Sequence, residues 1–246
     1  MRTVDRYRKW GWGLGIATVS AVTAFGLASW QANAAPSAPA TPGATADQPR
    51  VSHPSPVPEA AAGTGSDPLT GTEVDRARGI ALTPELAATA RDVTGQPGPE
   101  YLAAELDAEG TGREAELYFY DYRTEKLYKQ VVDVRTGKLV KSYSATGMQP
   151  PASEREAKVA LDLLLADPLG ANFREAYRKA TGQQLGGADG LVPTAHVYTA
   201  KPADQGAGQC GASRCVQLIV KTADGHFINV TDLVIDLSGR TVARLK

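Results

Sequence analysis

The sequence predicts an α+β protein of two tandem units, each a helix packed on a four-stranded antiparallel sheet. Three observations predict it. A capped, amphipathic helical pattern is followed by a run of short extended segments, and this happens twice. Gly-containing turn signals separate the extended segments. Finally, "VVDVRTGKLVKS" from Val131 reads against "LVIDLSGRTVAR" from Leu233 as apolar-Asp-apolar, a Gly turn and a basic residue, an internal repeat at an offset of about a hundred residues. One helix on one meander buries little surface, so two such units packed together make physical sense.

Residues 1–34 read as an export signal: Arg2, Arg6, Arg8 and Lys9 precede an uncharged span from Trp10 to Trp30, and Ala32-Asn33-Ala34 is a small-x-small cleavage site. The span is long enough for an uncleaved membrane anchor. Residues 35–80 read as a linker, because Ala, Pro, Thr, Ser and Gly dominate it up to Asp67 and cannot bury enough surface to offset their ordering entropy. Its His53 is expected to be solvated. The expected location is therefore secreted or extracytoplasmic, with membrane contact only through an uncleaved signal. The chain carries 26 Lys+Arg against 27 Asp+Glu, a balance that gives nucleic-acid binding no basic footprint.

The first unit is expected over residues 81–146. Thr83 caps a helix that Pro84 begins, Leu86, Ala90 and Val93 form its apolar stripe, and Gly95 stops it. Extended segments follow near Tyr101–Leu106, Arg113–Tyr122, Leu127–Val134 and Leu139–Ser144. The second unit is expected over residues 147–246. Pro150-Pro151 forbids helix before it, Ser153 and Glu156 make a capping box, and Ala157, Ala160, Leu161, Leu164 and Leu165 recur at helical spacing up to Asp167-Pro168. A further helix places Phe173, Ala176, Tyr177 and Ala180 on one face and stops at Gly182. Extended segments follow near Leu191–Thr199, Cys215–Lys221, Phe227–Leu237 and Thr241–Leu245, the third alternating without interruption. Cys210 and Cys215 are close in sequence, and export implies an oxidising compartment, so a disulfide between them is expected.

Part of this pattern is similar to a known family. Val132-Asp133-Val134, Gly137, Gly147, Gln149-Pro150-Pro151, Glu156 and Asp167-Pro168 lie in a stretch of some forty residues that resembles the small N-terminal domains of copper amine oxidases. The resemblance implies cystatin-like units in tandem, each a helix laid across an antiparallel sheet. It does not carry over the chemistry. That family's catalytic domain uses an Asn-Tyr-Asp/Glu tyrosine oxidised to a quinone and three His ligands for copper. Here Asn33, Asn172 and Asn229 are followed by Ala, Phe and Val, and the histidines are His53, His196 and His226. A weaker similarity, through "VVDVRTGKLV", is to PepSY-type modules.

Other chemistry finds little support. There is no Gly-x-Ser-x-Gly elbow, phosphate loop or His-Glu-x-x-His. His196 and His226 are expected to be ordinary sheet residues. Asn229-Val230-Thr231 is a glycosylation sequon expected in mid-strand. No catalytic residue, metal ligand or cofactor is expected. Tyr118, Tyr120 and Tyr122 form a period-two stripe opposite Ala115, Leu117 and Phe119. Two readings stay open: packing against the second unit, or a partner-binding surface. The expected function is that of a secreted, non-catalytic protein that binds an unidentified protein partner. An amine-oxidase-related accessory or fragment, and a PepSY-like peptidase modulator, are the alternatives.

Overall fold

The computed structural model describes residues 62–107 and 112–245. The export signal, His53 and the linker up to residue 61 lie outside the described residues. The described chain contains α1 (Gly71–Ala81), α2 (Pro84–Thr89), β1 (Glu100–Leu106), β2 (Glu114–Asp121), β3 (Lys126–Asp133) and β4 (Lys138–Thr146). Then come α3 (Glu154–Ala166), α4 (Gly170–Thr181), β5 (Leu191–Tyr198), β6 (Cys215–Thr222), β7 (Phe227–Ile228), β8 (Leu233–Asp236) and β9 (Thr241–Arg244). It is an α+β fold with two antiparallel sheets, one of four strands in the order β1-β2-β3-β4 and one of five in the order β5-β6-β8-β9, with β7 also paired to β6. Among the described residues no helix is long and apolar enough to cross a membrane.

The first sheet is covered by a helix that lies inside the stretch expected to be linker. This corrects the linker's end, because α1 starts at residue 71 with a complete capping box. The Thr70 hydroxyl accepts from the Glu73 amide at 3.2 Å, and the Glu73 carboxylate accepts from the Thr70 amide at 3.0 Å. Its buried face is made of Ala77 and Ala81, small side chains that let the helix lie close to Ala115, Leu117, Phe119 and Val132. A face whose fully buried apolar residues are two alanines, with Ile80 half-buried beside them, gives a weak hydrophobic signal, which is why composition alone reads this stretch as tether.

The helix expected from Thr83 to Gly95 is much shorter. Thr83 does cap it, accepting from the Leu86 amide, and Pro84 does begin it, but it ends at Thr89 and Ala90 is already extended. The cause is Asp92, whose Oδ1 accepts from the Thr94 and Gln96 amides and wraps the chain into a turn. That turn sends Val93 away from the first core and into the second.

In the second half α3 and α4 run as expected, with Ser153 and Glu156 as a capping box and Gly182 as a left-handed stop at φ 74°. Ala160, Leu161, Leu164 and Phe173 pack on Leu218, Val220 and Ile235 from the sheet. The long third strand is a correction. Phe227–Leu237 is two strands, because the Asn229 side chain accepts from both the amide and the hydroxyl of Thr231, and the Leu233 amide bonds the Val230 carbonyl. Thr231 and Asp232 both face solvent, and the alternation changes phase there, so Ile228 and Val230 share one core with Leu233, Ile235 and Leu237. The sequon therefore lies on an exposed turn and not in mid-strand.

Cys210 and Cys215 form a disulfide, packed with Ala207 and Val234 in a small core of its own. Replacing both by serine is expected to cost about 2 kcal/mol, since the loop it closes is short. Urea unfolding of the double variant, with far-UV circular dichroism, checks this.

Candidate functional site

The three tyrosines of the β2 stripe do share the face opposite Ala115, Leu117 and Phe119, but they meet different surroundings. Tyr120 is fully buried. Its hydroxyl donates to Glu125 at 2.7 Å, and the Arg214 guanidinium stacks 5.0 Å from its ring centre. Tyr122, just past the strand, packs edge-on against Tyr120 and donates to Glu156 at 2.5 Å. Burial, followed by the Glu156 charge, pushes its phenol pKa far up. These two side chains join the halves: Tyr120 offers no exposed face, and Tyr122 is half-buried with its hydroxyl taken by Glu156. Tyr118 is half-buried too, but on the open part of the sheet.

What Tyr120 and Tyr122 pack against is a buried ion pair that the sequence reading missed. Arg214, the residue before β6, is fully buried, as is Glu156 at the start of α3. Arg214 Nε donates to Glu156 Oε1 at 2.6 Å and Nη2 to Oε2 at 3.0 Å. The remaining donors reach Gln149 Oε1, the Pro150 carbonyl and the Pro151 carbonyl at 3.1–3.2 Å. The same construction occurs in the first half. Arg113, the residue before β2, donates from Nε and Nη2 to the two oxygens of Glu73 at 2.7 Å each. Its other donors reach the Gly65, Asp67 and Pro68 carbonyls. Each arginine also accepts at its own carbonyl from the residue after the third strand segment, Val134 or Leu237. One fork thus ties the segment before the helix, the helix's first turn and the second strand of the sheet, once in each half. The recognisable signal was there: Ser/Thr-x-x-Glu at both helix starts, and an arginine opening both second strands.

A second polar cluster completes the junction between the halves. Glu100 on β1 is 2 % exposed and accepts from Arg155 at 2.7 Å, from Ser153 at 3.2 Å and from the Val93 amide. Arg155 also holds Asp92 at 2.7 Å. Burial raises the Glu100 pKa above the usual carboxylate value in spite of Arg155.

Tyr118 belongs to an open row across the first sheet. Register places Ala103, Tyr118, Lys129 and Tyr143 side by side on β1 to β4, all on the face away from α1. Lys129 pairs with Glu116 at 2.5 Å, and the Tyr118 hydroxyl donates to the same carboxylate at 2.8 Å. Tyr143 is 53 % exposed. Beside the row lies a groove of about 570 Å³ whose lining includes Tyr118, Leu127, Met148, Gln149, Pro150 and Pro151.

The histidines are not brought together. His196 is exposed opposite Gln217, whereas His226 sits at the far end of β6 beside Thr222, 3.5 Å from Asp224. Among the described residues no group of three or more His, Cys, Asp or Glu side chains is placed to hold a metal ion.

These elements define an α+β protein with two antiparallel sheets joined through a buried polar seam. No protein-family model and no curated protein matches the chain. Among solved structures it is similar to a copper-containing benzylamine oxidase from Hansenula polymorpha, with a TM-score of 0.40 and 14 % identity, over 74 % of this chain and 29 % of that one. The match thus spans less than a third of the oxidase chain.

Proposed function

We propose that this is an exported, non-catalytic protein of two tandem cystatin-like units that acts by binding another protein through the open face of the first sheet. One observation carries the reading. The residues behind the likeness to amine oxidase N-terminal domains, Gln149, Pro150, Pro151 and Glu156, direct their polar atoms at Arg214. This part of the motif thus supports a scaffold role, holding one unit to the next. The repeated arginine fork supports the tandem reading, since each half builds it from matching positions. The Tyr118–Lys129–Tyr143 row supports the binding reading, because half-exposed tyrosines combine a large apolar area with a polar tip and lose little entropy when covered.

Two measurements test it. The full-length chain is expected to capture a specific protein from its native medium, and Tyr118→Ala with Tyr143→Ala to lose that protein while keeping the melting temperature within a few degrees. Retained capture by the double variant sinks the assignment of the face. Turnover of benzylamine by the chain with added copper sinks the non-catalytic assignment.

A further inference from the structure

We infer that the open edge of β4 accepts an extended segment carrying acidic side chains, as an added strand; the inference rests on the protein-binding reading above and names the partner's chemistry. β4 ends the first sheet, and all nine of its residues, Lys138 to Thr146, are exposed. The other edges are closed to a long pairing. β5 carries Pro193, which has no amide proton, and β7 and β9 are two and four residues long. β1 has a register shift between Tyr101 and Ala103, and its Glu100 is buried under Arg155. β4 has its own irregularity at Val140, so the regular stretch is Lys141 to Thr146.

Unpaired backbone groups along such an edge are a template for another strand. Charge decides which strand. Lys138 and Lys141 are the charged residues of β4, and neither has an acidic partner within ion-pair distance among the described residues. Pairing β4 with β4 of a second copy would gather four lysines on one ribbon with no acid on either strand, and like charges facing each other oppose the contact. An acidic strand meets the same lysines favourably. Side chains on its two faces would also meet Tyr143, on the face of Lys141, and Leu139, on the opposite face beyond the Val140 irregularity, which are 53 % and 37 % exposed.

The test uses the full-length chain and a fluorescein-labelled Thr-Glu-Val-Glu-Val-Glu-Thr peptide, with the Lys-for-Glu version as its counterpart. The acidic peptide is expected to bind, to slow hydrogen exchange at the Lys141–Thr146 amides, and to weaken about tenfold with Lys138→Glu plus Lys141→Glu, while the basic peptide gains by a similar factor. Unchanged circular dichroism of that variant separates charge from folding. Equal binding of both peptides, no binding, or protection elsewhere than β4 overturns the inference. So does a dimer in light scattering that slows hydrogen exchange at the same β4 amides, which would make a second copy the occupant of the edge. If the peptide fails while a partner captured through Tyr118 and Tyr143 persists, the edge assignment falls and the binding reading stands. If both fail, both fall.

Discussion

Arg214→Met is expected to cost about 3–5 kcal/mol, because it leaves Glu156 charged and buried without its partner. The apolar stem of the arginine is roughly reproduced by methionine, so the loss is that of the fork and not of volume. Gln149 Oε1 and the Pro150 and Pro151 carbonyls lose their donor as well, and Tyr120 loses the guanidinium over its ring. For a chain of this size the melting temperature is expected to fall by about 10 °C or more. Arg214→Lys keeps the charge but not the planar fork, and is expected to recover only part of the loss. Adding Glu156→Gln to Arg214→Met is expected to restore some stability, since an unpaired buried amide costs less than an unpaired buried charge. Thermal unfolding of the four proteins checks the ranking. A loss under about 1 kcal/mol for Arg214→Met would mean that water reaches Glu156 and the pair is not a structural element.

That ranking reaches the proposed binding face through Gln149, Pro150 and Pro151. The groove beside Tyr118 has these residues in its wall, and Arg214 holds them from behind. A variant at Arg214 is therefore expected to alter the shape of the groove from a fully buried position outside the proposed contact face. Surface variants at Tyr118 and Tyr143 act without this detour, which is why they are the cleaner probes of binding.

The sequence made the strands and α3 legible because their signals are local. Alternation over "EAELYFYD", a Gly turn after Asp133 and a capping box before "AKVALDLLL" each refer to neighbours in the chain. It hid α1 because its fully buried apolar residues are only two alanines, and the capping box at Thr70 and Glu73 sits directly after a Pro- and Gly-rich stretch. It hid the break after β7 because Asn229 and Thr231 continue an alternating pattern while their side chains close a turn. The site was half legible for a different reason. Period two correctly placed Tyr118, Tyr120 and Tyr122 on one face, but whether a face is covered depends on segments far along the chain. Gln149 and Arg214 cover Tyr120, and nothing local to β2 announces them. Arg113 and Arg214 themselves read as ordinary charged residues opening a strand, and only their repetition with Thr70/Glu73 and Ser153/Glu156 marks them as a pair of devices.

The first-half device is expected to make the protein acid-sensitive in a defined window. Arg113 holds the Glu73 carboxyl near a pKa of about 2, below its ordinary value of 4.5. A carboxylate with a depressed folded pKa contributes stability that is complete above about 4.5 and is lost as the pH falls through about 2. Glu73→Gln removes that contribution, so wild type and variant are expected to differ on the order of 2 kcal/mol at neutral pH, allowing for solvent at the rim of the site, and to converge toward pH 2. Glu100 works in the opposite sense: burial raises its pKa, so its charged form is disfavoured in the fold and its contribution is greatest below its ordinary value. Because Glu100 is unchanged in both proteins, it shifts the two curves together and leaves their difference to Glu73. Urea midpoints of both proteins across an acidic pH series measure that difference. A gap that stays constant from neutral pH down to pH 2 would show that Arg113 does not hold Glu73 in its charged form, and the fork would then be a hydrogen-bonded contact without an electrostatic role.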